Sequence, residues 1–363
     1  AMLVTSLLAA GGAAAAYVAS LATDPIASLL IDFNAGPVIP GHSLEATLYR
    51  ADGTVLHGPV KLDDHGRAAF SFSGYSGLAF VRVVDLDDTR PDYLDETTRR
   101  PTDLQPDVRM MTLVQDGTDH ASLSVSALSE LAVRLATGDA GGDNGRSPAR
   151  LGTVTTSDMD RVHTALAAKL GLSVDAMLGR GAADIELVID ASGKSAVPNA
   201  AGLLLAAISG LDDLHGGSHR ALDLLAREAA RSGAATAGDA ELSPLLGLLM
   251  AGALHAGASV AASLRAALPA LDAAVREAAL HVQAAPASTI TAADMASLGP
   301  LALQQYTSAD LASMSAAAVA ALGESQLAGL QPDQVRALAL HLSAAQTAML
   351  SPSFLPHLAT IDA

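Results

Sequence analysis

The sequence predicts an α+β chain of several domains, with a β-sandwich followed by a larger all-α region that ends in a superhelix of short helical turns. Three observations predict it. Residues 25–127 hold short alternating runs broken by Gly-centred turns. Residues 128–287 hold longer segments with apolar residues three and four apart. From Thr291 onward the chain repeats itself every eight residues.

Composition narrows the functions open to such a chain. Its 363 residues, half of them hydrophobic, give room for two or three domains with cores of their own. Aromatics make up 3 % and there is no Trp, so those cores are built from small aliphatic groups. The formal charge is 21 − 38 = −17. Such an acidic chain should repel nucleic acid and anionic membranes, and it suits a soluble, salt-tolerant or cation-binding surface. The absence of cysteine excludes a disulfide scaffold and a thiolate zinc site, without placing the chain in any compartment.

In chain order, residues 1–24 form an Ala-rich N-terminal segment. Its uncharged run over 1–23 has no basic residue ahead of it, which favours a packed Ala-rich segment over a signal or membrane remnant. The Ala1-Met2 start reads as a cloning scar. Residues 25–127 come next. "IASLLIDF" is an apolar run, and in "SLEATLYR" Leu44, Ala46 and Leu48 alternate with Glu45, Thr47 and Tyr49. Turns at Asp52-Gly53 and Gly66 follow, then "RAAFSFS", "GLAFVRVVD", "RMMTLVQ" and "ASLSVS". Seven short strands at this spacing predict an Ig-like β-sandwich without the usual Cys and Trp pins, its core resting on Phe70, Phe72, Phe80 and aliphatics.

Residues 128–287 predict an all-α domain. Ser157 with Asp160 is placed to cap a helix over "DMDRVHTALAAKLG". "NAAGLLLAAISGLDDL", "SHRALDLLAREAARSG" and "SVAASLRAALPALDAAVREAALHV" carry helical periodicity. The apolar stretch between Glu241 and Arg265 has the ~20 residues that could span a bilayer. It also holds Pro244, His255 and several Ser and Gly, so a buried helical hairpin is expected and no membrane span.

Residues 288–363 hold the octads. Units start at 291, 299, 307, 315, 323 and 331 and, after a four-residue "ALHL", at 343 and 351. The eighth position is apolar in every unit: Leu298, Tyr306, Met314, Leu322, Leu330, Leu338, Leu350 and Leu358. The fifth is apolar except at Thr347, and the fourth is Asp294, Asp310, Gln326, Gln334 or Gln346 in five units. First positions are Thr, Ser, Gly or Gln, and Pro300, Pro332 and Pro352 stand second. This is a helix start written repeatedly: a cap, a proline where the N–H has no partner, and a polar residue three after the cap. In one straight helix eight residues turn through about 800°, and the apolar pair would drift about 80° per unit. The chain must therefore bend at each cap, giving a superhelix of re-aimed turns. The plainer alternative is two or three ordinary Ala-rich helices.

The Ser/Thr-x-x-Asp/Gln-Φ-x-x-Φ units resemble the L-T-P-x-Q-Φ-x-A-L-T repeats of very large secreted surface proteins and adhesins of Gram-negative bacteria. "ADGTVLHGPVKLDDHGRAAFSFSGYSGLAFVRVVD" looks like their Ig-like modules. "VHTALAAKLGLSVDAML" and "GLLLAAISGLDDL" are similar to the helical segment that follows such modules. The resemblance implies an extracellular or cell-surface protein without catalysis, whose partners are other protein subunits or cell-surface components, and it carries over no catalytic residue.

Gly193-Lys194-Ser195 follows an apolar run, but Val188 stands where a phosphate loop needs Gly, and Pro198 interrupts the helix that must follow. Gly74–Gly77 lacks the spacing of a nucleophile elbow. His215, Ser218 and His219 read as helix capping or as a metal pair. The acidic run 85–96 is the site candidate. Asp85, Asp87 and Glu96 fall at positions one, three and twelve of an EF-hand-like count, with Asp88 beside them, but Arg90 stands where the loop needs Gly. It is either an irregular Ca²⁺ site (Asp85, Asp87, Asp88, Glu96) or a solvated loop countered by Arg82, Arg90, Arg99 and Arg100. "GDAGGDNG" is a linker or a second Ca²⁺ loop. Three function classes stand: a structural or adhesive segment, a module binding carbohydrate or a partner protein, and an enzyme. Five Tyr and no Trp offer few stacking surfaces to a sugar.

Overall fold

A computed structural model describes residues 27–358 except 74, 76, 88, 105–110, 115–120, 139–147, 181–183, 218, 219, 232–242 and 351. The Ala-rich N-terminal segment and most of "GDAGGDNG" lie outside the described residues. The chain is α+β, with small sheets first and a helical region after them.

The strands are β1 (Ala27–Asn34), β2 (Leu44–Arg50), β3 (Val55–Lys61), β4 (Arg67–Phe72), β5 (Ala79–Asp85), β6 (Tyr93–Leu94), β7 (Pro101–Thr102), β8 (Met111–Val114) and β9 (Ala121–Ser126). One sheet has the order β4-β1-β9 and another β3-β2-β5-β8, while β6 and β7 pair by themselves. β1 runs antiparallel to β4 and parallel to β9. Period-two alternation fixes the buried faces. Leu29, Ile31 and Phe33 of β1 meet Leu44, Ala46 and Leu48 of β2, and Val81 and Val83 of β5, in one apolar core shared by both larger sheets. Phe70 is buried there, and Phe72 packs at its margin. Phe80 departs from expectation. It points the other way from Val81 and joins the core of the helical region together with Leu78. β5 is therefore buried on both faces.

The helical region begins without a linker. β9 ends at Ser126, which caps α1 (Ala127–Thr137) through a reciprocal bond with Ser129. α2 (Thr156–Leu170) starts two residues earlier than Ser157 predicts. Thr155 is the cap, its Oγ1 accepting from Asp158 N at 3.1 Å while Asp158 Oδ2 accepts from Thr155 N at 3.1 Å. The physical reason is a hydrophobic staple. Val154 before this cap and Met159 in the first turn are both buried in the core, whereas a Ser157 cap would put Thr156 in the staple position.

α3 (Val174–Leu178), α4 (Ala200–Leu214), α5 (Arg220–Arg231) and α6 (Ser243–Ala256) follow. α4 and α6 cross where Gly210 meets Gly252. A Cβ on Gly252 would lie 1.9 Å from Ala207 O, so this approach requires glycine. α7 (Ala258–Ala267) follows α6 after Gly257, and α8 (Pro269–Ala284) follows α7 at an angle of 113°. The segment 259–282 thus splits in two, because Pro269 has no N–H and drives Leu268 out of the helical region to φ −121 and ψ 89. Among the described residues no single helix is long and apolar enough to cross a membrane.

The octads become α9 (Ala292–Ser297), α10 (Pro300–Gln305), α11 (Ser308–Ala312), α12 (Ala316–Ala320), α13 (Glu324–Ala328), α14 (Pro332–Leu338), α15 (Ala344–Met349) and α16 (Leu355–Leu358). The caps of the first seven are Thr291, Gly299, Thr307, Ser315, Gly323, Gln331 and Ser343, each the first residue of its octad and each extended. The eighth-position residues from Leu298 to Leu350 are buried.

Each unit packs against the unit three places on: α9 on α12, α10 on α13, α11 on α14. The inserted "ALHL" forms a single 3₁₀ turn, Ala339–His341, which packs on α12 where a seventh unit would lie. The fourth-position glutamines tie units four places apart. Gln326 Oε1 accepts from Gly323 N at 2.7 Å, while its Nε2 donates to Met295 O at 2.8 Å and Leu298 O at 2.6 Å. Gln334 reaches Tyr306 O at 2.9 Å, and Gln346 reaches Val319 O at 2.7 Å and Leu322 O at 3.1 Å. Gln346 keeps the four-place spacing when the short turn counts as a unit. Gln304 and Gln331 also donate to α6, at Gly247 O and Ala251 O, so one continuous core runs from α1 to Phe354.

Candidate metal centre

The acidic run folds around the β6–β7 hairpin, which lies on residues 37–39. Leu94 N donates to Pro37 O and Ile39 N to Asp92 O, each at 2.8 Å. Gly36 permits this close approach, since a Cβ there would lie 2.1 Å from Leu94 O. Tyr93 pairs with Thr102 and Leu94 with Pro101, so Asp92 and Asp103 flank the hairpin as the next facing positions. Asp85, the last residue of β5, completes a cluster with them. One carboxylate oxygen from each of Asp85, Asp92 and Asp103 lies within 4.8 Å of the other two.

Ser43 sits between two of these carboxylates. Its N–H donates to Asp92 Oδ1 at 3.2 Å, and its hydroxyl makes a short bond to Asp85 Oδ1. Asp87 N also donates to Asp85 Oδ1, at 3.1 Å, and Leu104 N donates to Asp92 Oδ2 at 3.0 Å. Asp92 is fully buried and Asp85 is 7 % exposed. Asp85 Oδ2 is buried without a hydrogen-bond partner. Burial pushes the Asp92 carboxyl up to about 6, against the lowering by its two backbone donors, with the Asp85 and Asp103 charges adding to the rise.

Of the arginines expected as counter-charges, Arg90 does pair within the acidic run, while Arg99 and Arg82 point elsewhere. Arg90 pairs with Asp87 at 3.2 Å in solvent, Arg99 reaches Ser195 Oγ at 3.0 Å, and Arg82 is drawn to Tyr49 and Glu130. Of the sequence candidates, Asp85 belongs to the cluster. Asp87 is instead turned to Thr89 and Arg90, and Asp88 lies outside the described residues. Glu96 is buried away from solvent with both oxygens unpartnered, and burial, with Asp95 adding, holds its carboxyl well above the usual range. Asp92 stood inside the acidic run but matched no loop position, and Asp103 stood outside it. The signal that joins them is the hairpin register, 92 beside 103, which a linear loop count does not contain.

The other candidates have structural surroundings. Around Gly193-Lys194-Ser195 the chain makes a tight turn in which Asp190 Oδ1 accepts from Ser192 N at 2.8 Å and Lys194 N at 3.0 Å. His215 is buried, bonded to Ala328 O at 2.9 Å and edge-on to Phe354, while Ser218 and His219 lie outside the described residues.

The all-oxygen donor set of the cluster suits a hard cation or a shared proton. Residues 304–340 match the family model of the ALTTAQ repeat. Comparison with curated proteins and with solved structures returns no match.

Proposed function

We propose that this chain is a non-catalytic, extracellular structural or adhesive segment of a bacterial cell-surface or biofilm-matrix protein. In this reading the two larger sheets form an Ig-like β-sandwich and the octads a superhelix of three units per turn. The chain spaces or presents binding surfaces and associates with itself or with cell-surface partners. The observation that carries the reading is where the repeat puts its polar side chains. In a repeat built to read a ligand, the recurring polar residue faces outward. Here Gln326, Gln334 and Gln346 are buried, and all three satisfy backbone groups of distant units. The recurring chemistry holds a scaffold together, as in other stacked-repeat architectures. The resemblance to surface-protein repeats and the ALTTAQ match at 304–340 point the same way. Beads coated with the intact chain test it. Clustering of the beads, or capture of bacterial cells by them, is the expected result. Beads that stay dispersed and capture nothing overturn the adhesive reading.

A further inference from the structure

We propose that Asp85, Asp92 and Asp103 bind a calcium ion at the corner between β5 and the β6–β7 hairpin. Three features carry the proposal. The first is spacing. Calcium–oxygen distances are about 2.3–2.6 Å, so two oxygens on one ion lie at most about 5 Å apart. The three carboxylates already meet that limit, each offering an oxygen within 4.8 Å of the others.

The second is an unsatisfied acceptor. Asp85 is 7 % exposed, and its Oδ2 is buried at the cluster without a partner. A bare carboxylate oxygen out of water raises the free energy of the fold, and a cation removes that penalty. The third is support. Ser43 and the Asp87 N–H hold Asp85 by Oδ1, while the Ser43 and Leu104 N–H groups hold Asp92 by both oxygens. Such bonds fix the direction of ligating carboxylates. The donor set is oxygen throughout, which disfavours soft metals, and calcium accepts the irregular geometry of ligands drawn from separate loops. A proton shared among the three acids is the competing arrangement, and it leaves the chain indifferent to calcium.

The experiment uses the intact chain, stripped with chelator and titrated with calcium chloride in a calorimeter, with thermal unfolding followed in calcium and in chelator. One ion per chain is expected, with a Tm that climbs as calcium is raised. Asp92→Asn should lose both effects. Asp87→Asn, whose carboxylate faces Arg90 and solvent, should keep both. Should Asp92→Asn fail to fold, Asp85→Asn takes its place, and the wild-type titration decides without either. A wild-type chain that gives no binding heat and equal melts in calcium and chelator overturns the proposal. So does a variant lacking Asp92 or Asp85 that still binds, or loss of binding in Asp87→Asn.

Discussion

Replacing Gln326 by Met separates what the octad cap contributes from what the tie between units contributes. Met has nearly the same length, so packing is kept while three hydrogen bonds are removed: those to Gly323 N, Met295 O and Leu298 O. Met295 O still accepts from Leu298 N at 3.2 Å. Leu298 O loses its side-chain partner in a place that is closed to water, Gln326 being 8 % exposed, whereas Gly323 is exposed and water can replace its partner. A buried backbone group left bare costs about 1–3 kcal/mol, so the variant should lose about 1–3 kcal/mol. Asp310→Ala is the comparison. Asp310 makes only the cap, with Thr307 N at 2.9 Å and Thr307 Oγ1 at 2.6 Å, in full exposure where water replaces it. Its effect should be far smaller. Urea unfolding followed by far-UV circular dichroism, at unchanged m, measures both.

Gln326→Glu adds a pH test of the same tie. The carboxylate keeps the cap but aims negative charge at two carbonyls, so its pKa in the folded chain rises above the unfolded value. A proton restores a donor, so this variant should be most stable at low pH and lose stability as pH rises through the raised pKa. Equal losses in Gln326→Met and Asp310→Ala would refute the argument that these glutamines hold distant units together.

Gly252→Ala should unfold or strongly destabilise the chain, because its methyl would stand 1.9 Å from Ala207 O, whereas Gly152→Ala meets nothing closer than 3.6 Å and should leave Tm unchanged. Leu322→Ala should cost about 2–5 kcal/mol and Ser315→Ala about 0.5–2 kcal/mol in the same urea assay, while exposed Ala317 accepts Glu quietly. His163 is buried, and desolvation, with the Arg180 charge adding, depresses its pKa to about 4. A depressed histidine stabilises the fold above its unfolded pKa of about 6.5 and loses that contribution as pH falls toward 4, about 3 kcal/mol in all. His163→Leu should flatten the stability profile over that window.

The octads were legible because their signal is local. A cap, a first-turn proline and a polar residue three places later all act within one turn, and each helix begins where its octad begins, from Thr291 to Ser343. The partners of Gln326 were not legible, since Leu298 lies 28 residues away and a carbonyl carries no sequence mark. The short turn at Ala339–His341 read as a mere insertion for the same reason: its role shows in what it packs on. Alternation placed the strands, but it could not tell which of two cores Phe80 would join, because β5 has apolar residues on both faces. The acidic cluster was half legible. Asp85 and Asp92 stand in a visibly acidic run, and Asp103 arrives through hairpin register alone.

In the superhelix proposed for the octads, a unit that lies on the one three places back turns chain length into angle. Adding one octad would lengthen the stack and also swing whatever follows it by about a third of a turn, and adding three would restore the original heading. There the four residues of "ALHL", whose short turn packs where a seventh unit would lie, would stand in for a whole rung. Insertions and deletions in such a stretch would steer as well as extend. Two chains differing by one rung would present their far ends in different directions, while two differing by three would differ in reach alone.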